Sequence, residues 1–567
     1  MPRRTIETLL IFSLFAVYAG QFPPDVNESH YLTKAKHGWD PLWCPDDLFL
    51  ASSFSHWLFY LLFGWLNQFF SLPAVAWIGR ILTWLLLAFS WQRLSTSLLK
   101  TPGLSIATAA LFLVLNDRFH LAGEWVVGGF EAKGLAYFFV LMALGSYVRK
   151  DFCWLWPYLG FACAFHVLVG GWATIAVLIS LAGQFLLRTQ TTAETRLGES
   201  GYVTRLSESS ITSEVEQGEA SKASWQKQIV FILAGLVLAA VGALPPLLAD
   251  FSADPEVKAT ASKIYVQYRI SHHLVFNAFT ASRVAGFAVL LVVYALVGRK
   301  LKSFNAESIP GWQRLFGFAF GSLCISFAGL MLSGVSEQEY AWADSSFGLL
   351  RFYWFRMADF AVPCATSLGL IALLQLLWQR SLWGRGIAIA AGIAIAVTIG
   401  WIDMDRHADP RPRADRAALP NYPDDEERTM GTYRNWRRVC EWIKNNTPTD
   451  AQFITPDEQQ TFKWYAQRAE VVNWKDVPQN ADAMVDWKTR VDYLIKPQRG
   501  PGLSLLDYPD YLPDIAKFYG ATHLLIPQIQ VDRLGGGREL KQIYPVDPAT
   551  KATFVVFEFP EGTQTRK

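Results

Sequence analysis

Long apolar runs separated by short polar connections fill the chain up to residue 403. A helix that crosses the hydrocarbon core of a membrane needs about 20 mostly apolar residues, and the runs therefore predict about eleven spanning helices. They lie at residues 5–20, 73–91, 105–121, 134–148, 152–187 (divided into a helical hairpin), 229–248, 281–297, 315–332, 357–377 and 386–401.

Basic residues fall on alternate connections between these runs, beginning with Arg3 and Arg4 and continuing with Arg93, Arg149 and Arg188. Connections rich in Lys and Arg stay in the cytoplasm, so the N-terminus is predicted to be cytoplasmic. No small-x-small cleavage site follows the first run cleanly, which predicts an uncleaved anchor. An odd number of spans then places the C-terminal end on the periplasmic or extracytoplasmic side.

The pattern changes at residue 404, where charged residues become frequent and apolar runs become short. An amphipathic helix and four short apolar segments predict a soluble α/β domain over 404–567. Residues 189–227 are rich in Ser, Thr, Glu and Gly and predict a disordered linker between a membrane module, 1–188, and the remaining transmembrane helices, 228–403. The predicted helix is 433–445 and the predicted strands are 451–456, 469–474, 522–527 and 553–559.

The composition agrees with a polytopic α-helical membrane protein. Hydrophobic residues make up 51% of the chain and charged residues 18%, against about 25% charged in an average globular protein. The 51 basic and 49 acidic residues leave a net charge of +2, so no nucleic-acid partner is predicted. The 6 cysteines are scattered without metal-binding spacing, and neither a zinc site nor a disulfide scaffold is expected.

Ionisable residues gather in three segments that the predicted topology places on the outer side, 25–47, 117–133 and 337–359. Such residues are costly near a membrane and usually mark functional sites. Carboxylates combined with arginines suit a reaction in which an acceptor loses a proton and an anionic phosphate departs. Structural alternatives remain open: Glu131 could cap a helix, and Arg356 could pair with Asp359.

Four sequence elements follow one another in a familiar order. An acidic element after the first span is followed by an arginine after a juxtamembrane helix, a second acidic element, and a helical hairpin with a histidine at its turn. This order resembles that of the GT-C superfamily of polytopic membrane glycosyltransferases over about residues 1–188. The elements are Asn27-Glu28-Ser29-His30-Tyr31, Arg80, Glu131 with Lys133 and Tyr137, and Phe165-His166-Val167.

The resemblance implies transfer of a hexose or pentose, with inversion, from a polyprenyl-phosphate donor to an acceptor on the outer membrane face. The implied partners are membrane lipid and the polyprenyl-phosphate-linked sugar. The implied site has Glu28 and Asp25 as catalytic carboxylates, Glu131 as acceptor ligand or ligand of an optional divalent metal (Mg²⁺ or Mn²⁺), Lys133 and His30 as further substrate ligands, and Arg351 and Arg356 as ligands of the donor phosphate.

One residue departs from the superfamily pattern. Asn27 stands where the superfamily usually places its catalytic Asp, and an amide is not a general base at neutral pH. Either Glu28 or Asp25 has taken that role, or the protein has lost transfer activity. The alternative function is therefore a non-catalytic membrane scaffold or lipid-binding descendant. A secondary transporter is disfavoured, because many transporters are built from internal repeats and this sequence has none.

Overall fold

The structure is a computed structural model that describes residues 2–198, 209–251, 253–304, 309–336, 343–456, 460–495, 509–534, 540–547, 550 and 552–560. The helices are α1 (Arg3–Ala19), α2 (Glu28–Trp39), α3 (Leu48–Ala51), α4 (Trp57–Gly64), α5 (Leu72–Leu98), α6 (Leu104–Arg118), α7 (Ala132–Val148), α8 (Phe152–Phe165), α9 (Val167–Gly198), α10 (Ser209–Phe251), α11 (Pro255–Lys263), α12 (Ser271–Leu274), α13 (Ala281–Phe304), α14 (Ile309–Ser336), α15 (Ala343–Leu350), α16 (Arg356–Arg380), α17 (Leu382–Ala408), α18 (Arg413–Ala418), α19 (Glu426–Asn446), α20 (Phe462–Ala466), α21 (Ala481–Arg490) and α22 (Leu512–Tyr519). The strands are β1 (Gln452–Ile454), β2 (Ala469–Glu470), β3 (His523–Pro527), β4 (Lys541–Tyr544) and β5 (Phe554–Glu558).

Each apolar run that was predicted to span the membrane is helical in the structure. Within the described ranges, seven helices are long and apolar enough to cross a membrane: α5, α9, α10, α13, α14, α16 and α17. The helices α1, α6, α7 and α8 are shorter, with 17, 15, 17 and 14 residues. The chain is thus an integral membrane protein, and the number of about eleven spans stays a prediction.

Close contact between α8 and α10 shows how the membrane helices pack. A β-carbon on Gly160 would lie 2.9 Å from Cα of Gly235, and one on Gly235 would lie 2.5 Å from the carbonyl oxygen of Trp156. Because lipid tails are as apolar as the helices, small residues that let backbones touch are a main source of packing in membranes.

The stretch 189–227 differs from its predicted disorder. Helix α9 continues to Gly198 and α10 begins at Ser209, so the described parts of this stretch are helical, while 199–208 lie outside the described residues. Extending an existing helix costs far less than starting one. The Glu, Ala, Gln and Lys residues of the stretch are also good helix formers.

The two ends of the helical bundle differ in charge. Helix α7 runs from its N-cap, Glu131, to its C-cap, Arg149. Arg149 hydrogen-bonds to the end of α5, and near that end Arg3 donates from Nη2 to the carbonyl of Lys100 at 3.1 Å. Basic connections therefore meet at the Arg149 end, and Glu131 lies at the other. That the basic end faces the cytoplasm stays a prediction.

A mixed sheet forms the centre of the C-terminal domain. The described strands lie in the order β2-β1-β3-β5-β4, with β2, β1 and β3 parallel and β3, β5 and β4 antiparallel. Leu524 and Leu525 enter different clusters on opposite faces, against α22 and α19 respectively. A sheet covered on both faces has continuous apolar strands, which explains why four strands were predicted correctly and the half-exposed β4 was missed.

A buried lysine fastens this domain to the N-terminal membrane module. Nζ of Lys463 lies 3.1 Å from Oδ2 of Asp47, 3.0 Å from Oε1 of Glu470 and 2.7 Å from Oδ2 of Asp476. Asp47 precedes α3, whereas the other three residues belong to the C-terminal domain. Burial raises the pKa of the Glu470 carboxyl to about 7, which brings this Lys463 cluster closer to neutrality.

We expect Lys463→Met to destabilise the protein by about 3–5 kcal/mol, because it leaves buried carboxylates without their cation. Unfolding in detergent micelles, followed by tryptophan fluorescence, measures the change. The matched control is Lys541→Met, whose ion pair with Glu558 is exposed; its cost should stay below about 0.5 kcal/mol. Equal unfolding midpoints for both variants would contradict this role of Lys463.

Candidate functional site

A cavity of about 360 Å³ opens at the Glu131 end of the bundle. It lies where α7, α9 and α16 begin and α8 ends, and the C-terminal domain closes one side. The structure brings together five of the residues predicted from the sequence and leaves two outside the cavity wall. His30, Glu131, Lys133, Arg351 and Arg356 line the cavity, and Asp25 and Glu28 do not.

Arg356 is fixed at the first residue of α16. Its Nε lies 3.0 Å from Oε2 of Glu124, and its Nη1 lies 3.2 Å from Nε2 of His166. His166 lies at the turn between α8 and α9 and so brings its ring against the guanidinium of Arg356. The Arg356 guanidinium also lies 4.0 Å from the ring centroid of Tyr353, a residue with φ of 55°. Such a conformation is uncommon for a bulky side chain and usually marks a functional loop.

Asp359, one turn further along α16, holds the loop that carries Glu124. Its carboxylate accepts from the backbone N–H groups of Leu121 (2.6 Å), Ala122 (2.9 Å) and Glu124 (3.2 Å). The sequence left open a pair between Arg356 and Asp359. The described contacts instead pair Arg356 with Glu124, because Asp359 is occupied by the loop backbone.

Glu131 is buried in the wall of the cavity. Its Oε2 accepts from Nδ2 of Asn27 at 3.0 Å, and its Oε1 accepts from Nε1 of Trp125 at 3.1 Å. Lys133 lies 3.8 Å from Oε2 of Glu131 and 3.5 Å from the ring centroid of Trp125. Burial raises the pKa of the Glu131 carboxyl, partly opposed by Lys133. Glu131 therefore combines its predicted place beside a helix start with a position in the cavity.

Glu28 is fully buried in an ion pair with Arg80. Oε1 accepts from Nε of Arg80 at 2.6 Å and from the backbone N–H of Phe130 at 2.7 Å, while Oε2 accepts from Nη2 of Arg80 and the N–H of Asp25. A carboxylate with both oxygens engaged away from the cavity is a structural anchor in this arrangement. Its predicted role as catalytic base stays a prediction, and these contacts argue against it.

Asp25 is likewise engaged outside the cavity. Its Oδ2 accepts from the backbone N–H of Gly129 at 2.9 Å, and its Oδ1 lies 3.2 Å from Nη1 of Arg413. Burial alone raises the pKa of Asp25, but the Arg413 and Arg80 charges outweigh it and lower the pKa to about 2. Asp25 thus ties the C-terminal connector to the loop before α7.

Sequence reasoning missed the residues that the C-terminal domain and the α11–α12 segment bring to the cavity. Lys475 and Arg269 line it, and Asp476 lies 3.1 Å from Nδ1 of His30. Burial and the Arg269 charge lower the pKa of the Lys475 ammonium to about 8. The available signal was Lys475-Asp476, two charges directly after Trp474, the last residue of the predicted strand 469–474.

The cavity wall is cationic on one side and apolar on another. Among the described residues, five basic side chains and the single carboxylate of Glu131 line it. Leu168 and Leu247 belong to the apolar part, and Leu247 is 49% exposed on α10, one of the helices long and apolar enough to cross a membrane. The apolar wall thus continues onto α10, whose candidate membrane span is only 11% buried. The basic residues are Lys133, Arg269, Arg351, Arg356 and Lys475, and the other apolar ones include Val167, Pro246, Phe352 and Met484.

The predicted divalent metal does not fit the residues around Glu131. Its nearest polar neighbours, Asn27 Nδ2, Trp125 Nε1 and Lys133 Nζ, are donors or cations rather than ligands. Within the described ranges no group of three or more His, Cys, Asp or Glu residues could hold a metal ion. A hard divalent cation prefers several oxygen ligands, so no chemical step is assigned to a metal here.

Comparisons with known proteins give one local and several overall similarities. Residues 434–494 match a family described as a domain of unknown function, DUF6798. No curated protein matches the sequence.

Solved structures are similar over nearly the whole chain. The archaeal oligosaccharyltransferase AglB from Archaeoglobus fulgidus, in complex with an inhibitory peptide and a dolichol-phosphate, is 12% identical, with a TM-score of 0.46 over 99% of this chain and 74% of that one. ArnT from Cupriavidus metallidurans bound to undecaprenyl phosphate is 13% identical, with a TM-score of 0.38 over 100% and 98%.

We expect Gly129→Ala to disturb the loop before α7. The added β-carbon would lie 2.7 Å from Cβ of Asp25 and 2.8 Å from Cγ of Glu28, and such overpacking costs about 1–3 kcal/mol. The unfolding midpoint in detergent should fall accordingly. Gly400→Ala is the matched control, because nothing lies within 4 Å of its β-carbon. A Gly129→Ala midpoint at or above that of the control would refute the close contact.

Proposed function

We propose that this protein is a membrane glycosyltransferase that transfers a sugar from a polyprenyl-phosphate donor to an acceptor at the outer membrane face. One observation carries the proposal: a single cavity joins a cluster of basic side chains to an apolar wall that continues onto α10, a candidate membrane span. An amphiphile with an anionic head and a long hydrocarbon tail matches both parts. A soluble sugar nucleotide would leave the apolar wall without a contact, and a purely apolar lipid would leave the basic side chains without one.

Two of the basic side chains, Arg356 and Arg351, are assigned to the phosphate of the donor. Arg356, held by Glu124 and His166, is the preorganised ligand for the phosphate, and a planar guanidinium suits a phosphate group. Arg351, in the same loop, is a second ligand. Their charges stabilise the phosphate as the bond to the sugar breaks. Displacement in a single step inverts the anomeric centre, in keeping with the predicted inverting transfer of a hexose or pentose.

Glu131 and Lys133 suit the sugar and the acceptor rather than the phosphate. Glu131 is the one carboxylate among the described lining residues, and its burial and its contacts with Asn27 and Trp125 fix its orientation. A fixed carboxylate is a suitable acceptor for a hydroxyl group. We assign it to orienting the substrate, with Lys133 holding it in place.

A second candidate function is a non-catalytic lipid-binding protein. It is favoured by Asn27, whose amide donates to Glu131 where a carboxylate is usual, and by the engagement of Glu28 with Arg80. The same cavity would then hold the lipid phosphate without reaction. Release of polyprenyl phosphate from radiolabelled hexosyl and pentosyl donors, measured in membranes that contain the endogenous acceptor, separates the two functions.

We expect Arg356→Met to weaken the binding of undecaprenyl phosphate about 30-fold or more, because removing one partner of a buried charge pair costs about 2–5 kcal/mol. Binding to the purified protein in detergent, titrated by intrinsic fluorescence, measures the loss. Arg380→Met, at the opposite end of α16, should bind as the wild type does. Unchanged affinity in Arg356→Met would count against both candidate functions.

A further inference from the structure

We propose that His30, oriented by Asp476 of the C-terminal domain, is the general base that takes the proton from the acceptor. This inference rests on the proposed transferase function. Such a reaction needs a base that faces the cavity, yet Asn27 has no basic group, and Glu28 and Asp25 are engaged elsewhere. His30 lines the cavity, is 18% exposed at its side chain, and sits one helical turn after Asn27 on α2.

The contact with Asp476 decides which nitrogen of His30 carries the proton. Burial alone raises the pKa of the Asp476 carboxyl, but Lys463, 2.7 Å away, and His30 hold it well below its usual range. An ionised carboxylate only accepts hydrogen bonds. Nδ1 of His30 therefore donates to Oδ1 of Asp476 at 3.1 Å, and Nε2 is left with its lone pair. The other ring nitrogen has no hydrogen-bond partner among the described residues.

The surroundings keep this imidazole neutral. The charged and titratable groups around His30 include Asp476, Lys475, Lys34, His56 and the neighbouring Tyr31. Burial lowers the pKa of His30, Asp476 opposes this, and the Lys475 and Lys34 charges add to the lowering. A neutral imidazole at pH 7 can accept a proton, which an imidazolium cannot. The ring also packs on Phe49, with 4.2 Å between centroids, so its plane is fixed.

The step balances without any further reactant. The acceptor O–H gives its proton to Nε2 of His30, and the acceptor oxygen forms a bond to the anomeric carbon. The bond from that carbon to the phosphate oxygen breaks, and its electron pair leaves with the phosphate, beside Arg356 and Arg351. The imidazolium is stabilised by Asp476 until the proton passes to solvent, as in other His–Asp pairs.

Glu131 is the competing candidate for this role. Each of its oxygens already accepts a hydrogen bond from a protein side chain, and Lys133 lies beside it. Taking a proton would disturb these contacts, whereas Nε2 of His30 has no hydrogen bond to lose within the described part of the chain. The pairing also gives a role to residues 434–494, the segment that matches a domain of unknown function: it supplies Asp476, which completes the base.

The test uses the full-length protein with His30→Asn, whose amide can still donate to Asp476. We expect transfer from the radiolabelled donor, in membranes with the endogenous acceptor, to fall about 10²–10⁴-fold. The affinity for undecaprenyl phosphate should stay within about twofold of the wild type, because no phosphate ligand is changed. The control is His407→Asn, which removes another His–Asp pair, one that does not line the cavity.

Two readouts separate a base from a structural residue. Added imidazole should restore part of the transfer by His30→Ala. The loss of rate at low pH, where His30 becomes protonated below its lowered pKa, should disappear in His30→Asn. A wild-type rate and pH profile in His30→Asn overturn the inference and leave the transferase function standing, and a loss confined to Glu131→Gln gives the role to Glu131. If the wild type transfers no sugar from any donor, the proposed function fails, and His30 as base fails with it.

Discussion

The buried ion pair between Glu28 and Arg80 is the contact on which the site depends. It joins α2 to α5 with both side chains almost completely out of water. A buried pair is tolerable only when further hydrogen bonds satisfy its remaining atoms. The backbone N–H groups of Asp25 and Phe130 and the carbonyl of Gln21 do so. The loop that ends at Glu131 is thereby built around this pair.

Two buried charge clusters each hold one side of the cavity in place. The Glu28–Arg80 pair sets the membrane side of the cavity, and the Lys463 cluster sets the side formed by the C-terminal domain. They meet on α2, since its first residue is Glu28 and His30 touches Asp476. Helix α2 is short and buried over most of its length. It therefore fixes the position of the C-terminal domain relative to the membrane helices.

The sequence was sufficient where periodicity and composition determine structure. The apolar runs located the membrane helices, and continuous apolar segments located β1, β2, β3 and β5. The site was predictable only in part. Arg356 and Glu131 were found because they interrupt apolar runs. Glu28 and His30 are neighbours in one motif, and the sequence does not show which of them faces the cavity. Which of them faces the cavity depends on the helical rotation of α2 and on Arg80, 52 positions away. The contacts of Asp476 and Lys475 depend on docking of the C-terminal domain, which no local pattern encodes.

The cavity needs Lys475 in its wall and Asp476 against His30, and this has a consequence for biosynthesis. A chain is made from its N-terminus, and its early parts fold first. The helices that form the membrane side of the cavity are made while the residues that complete it are still unsynthesised or in the ribosome. A nascent chain therefore holds an open, incomplete pocket. The complete cavity forms only in a late event, when residues 404–567 have folded and docked on α2.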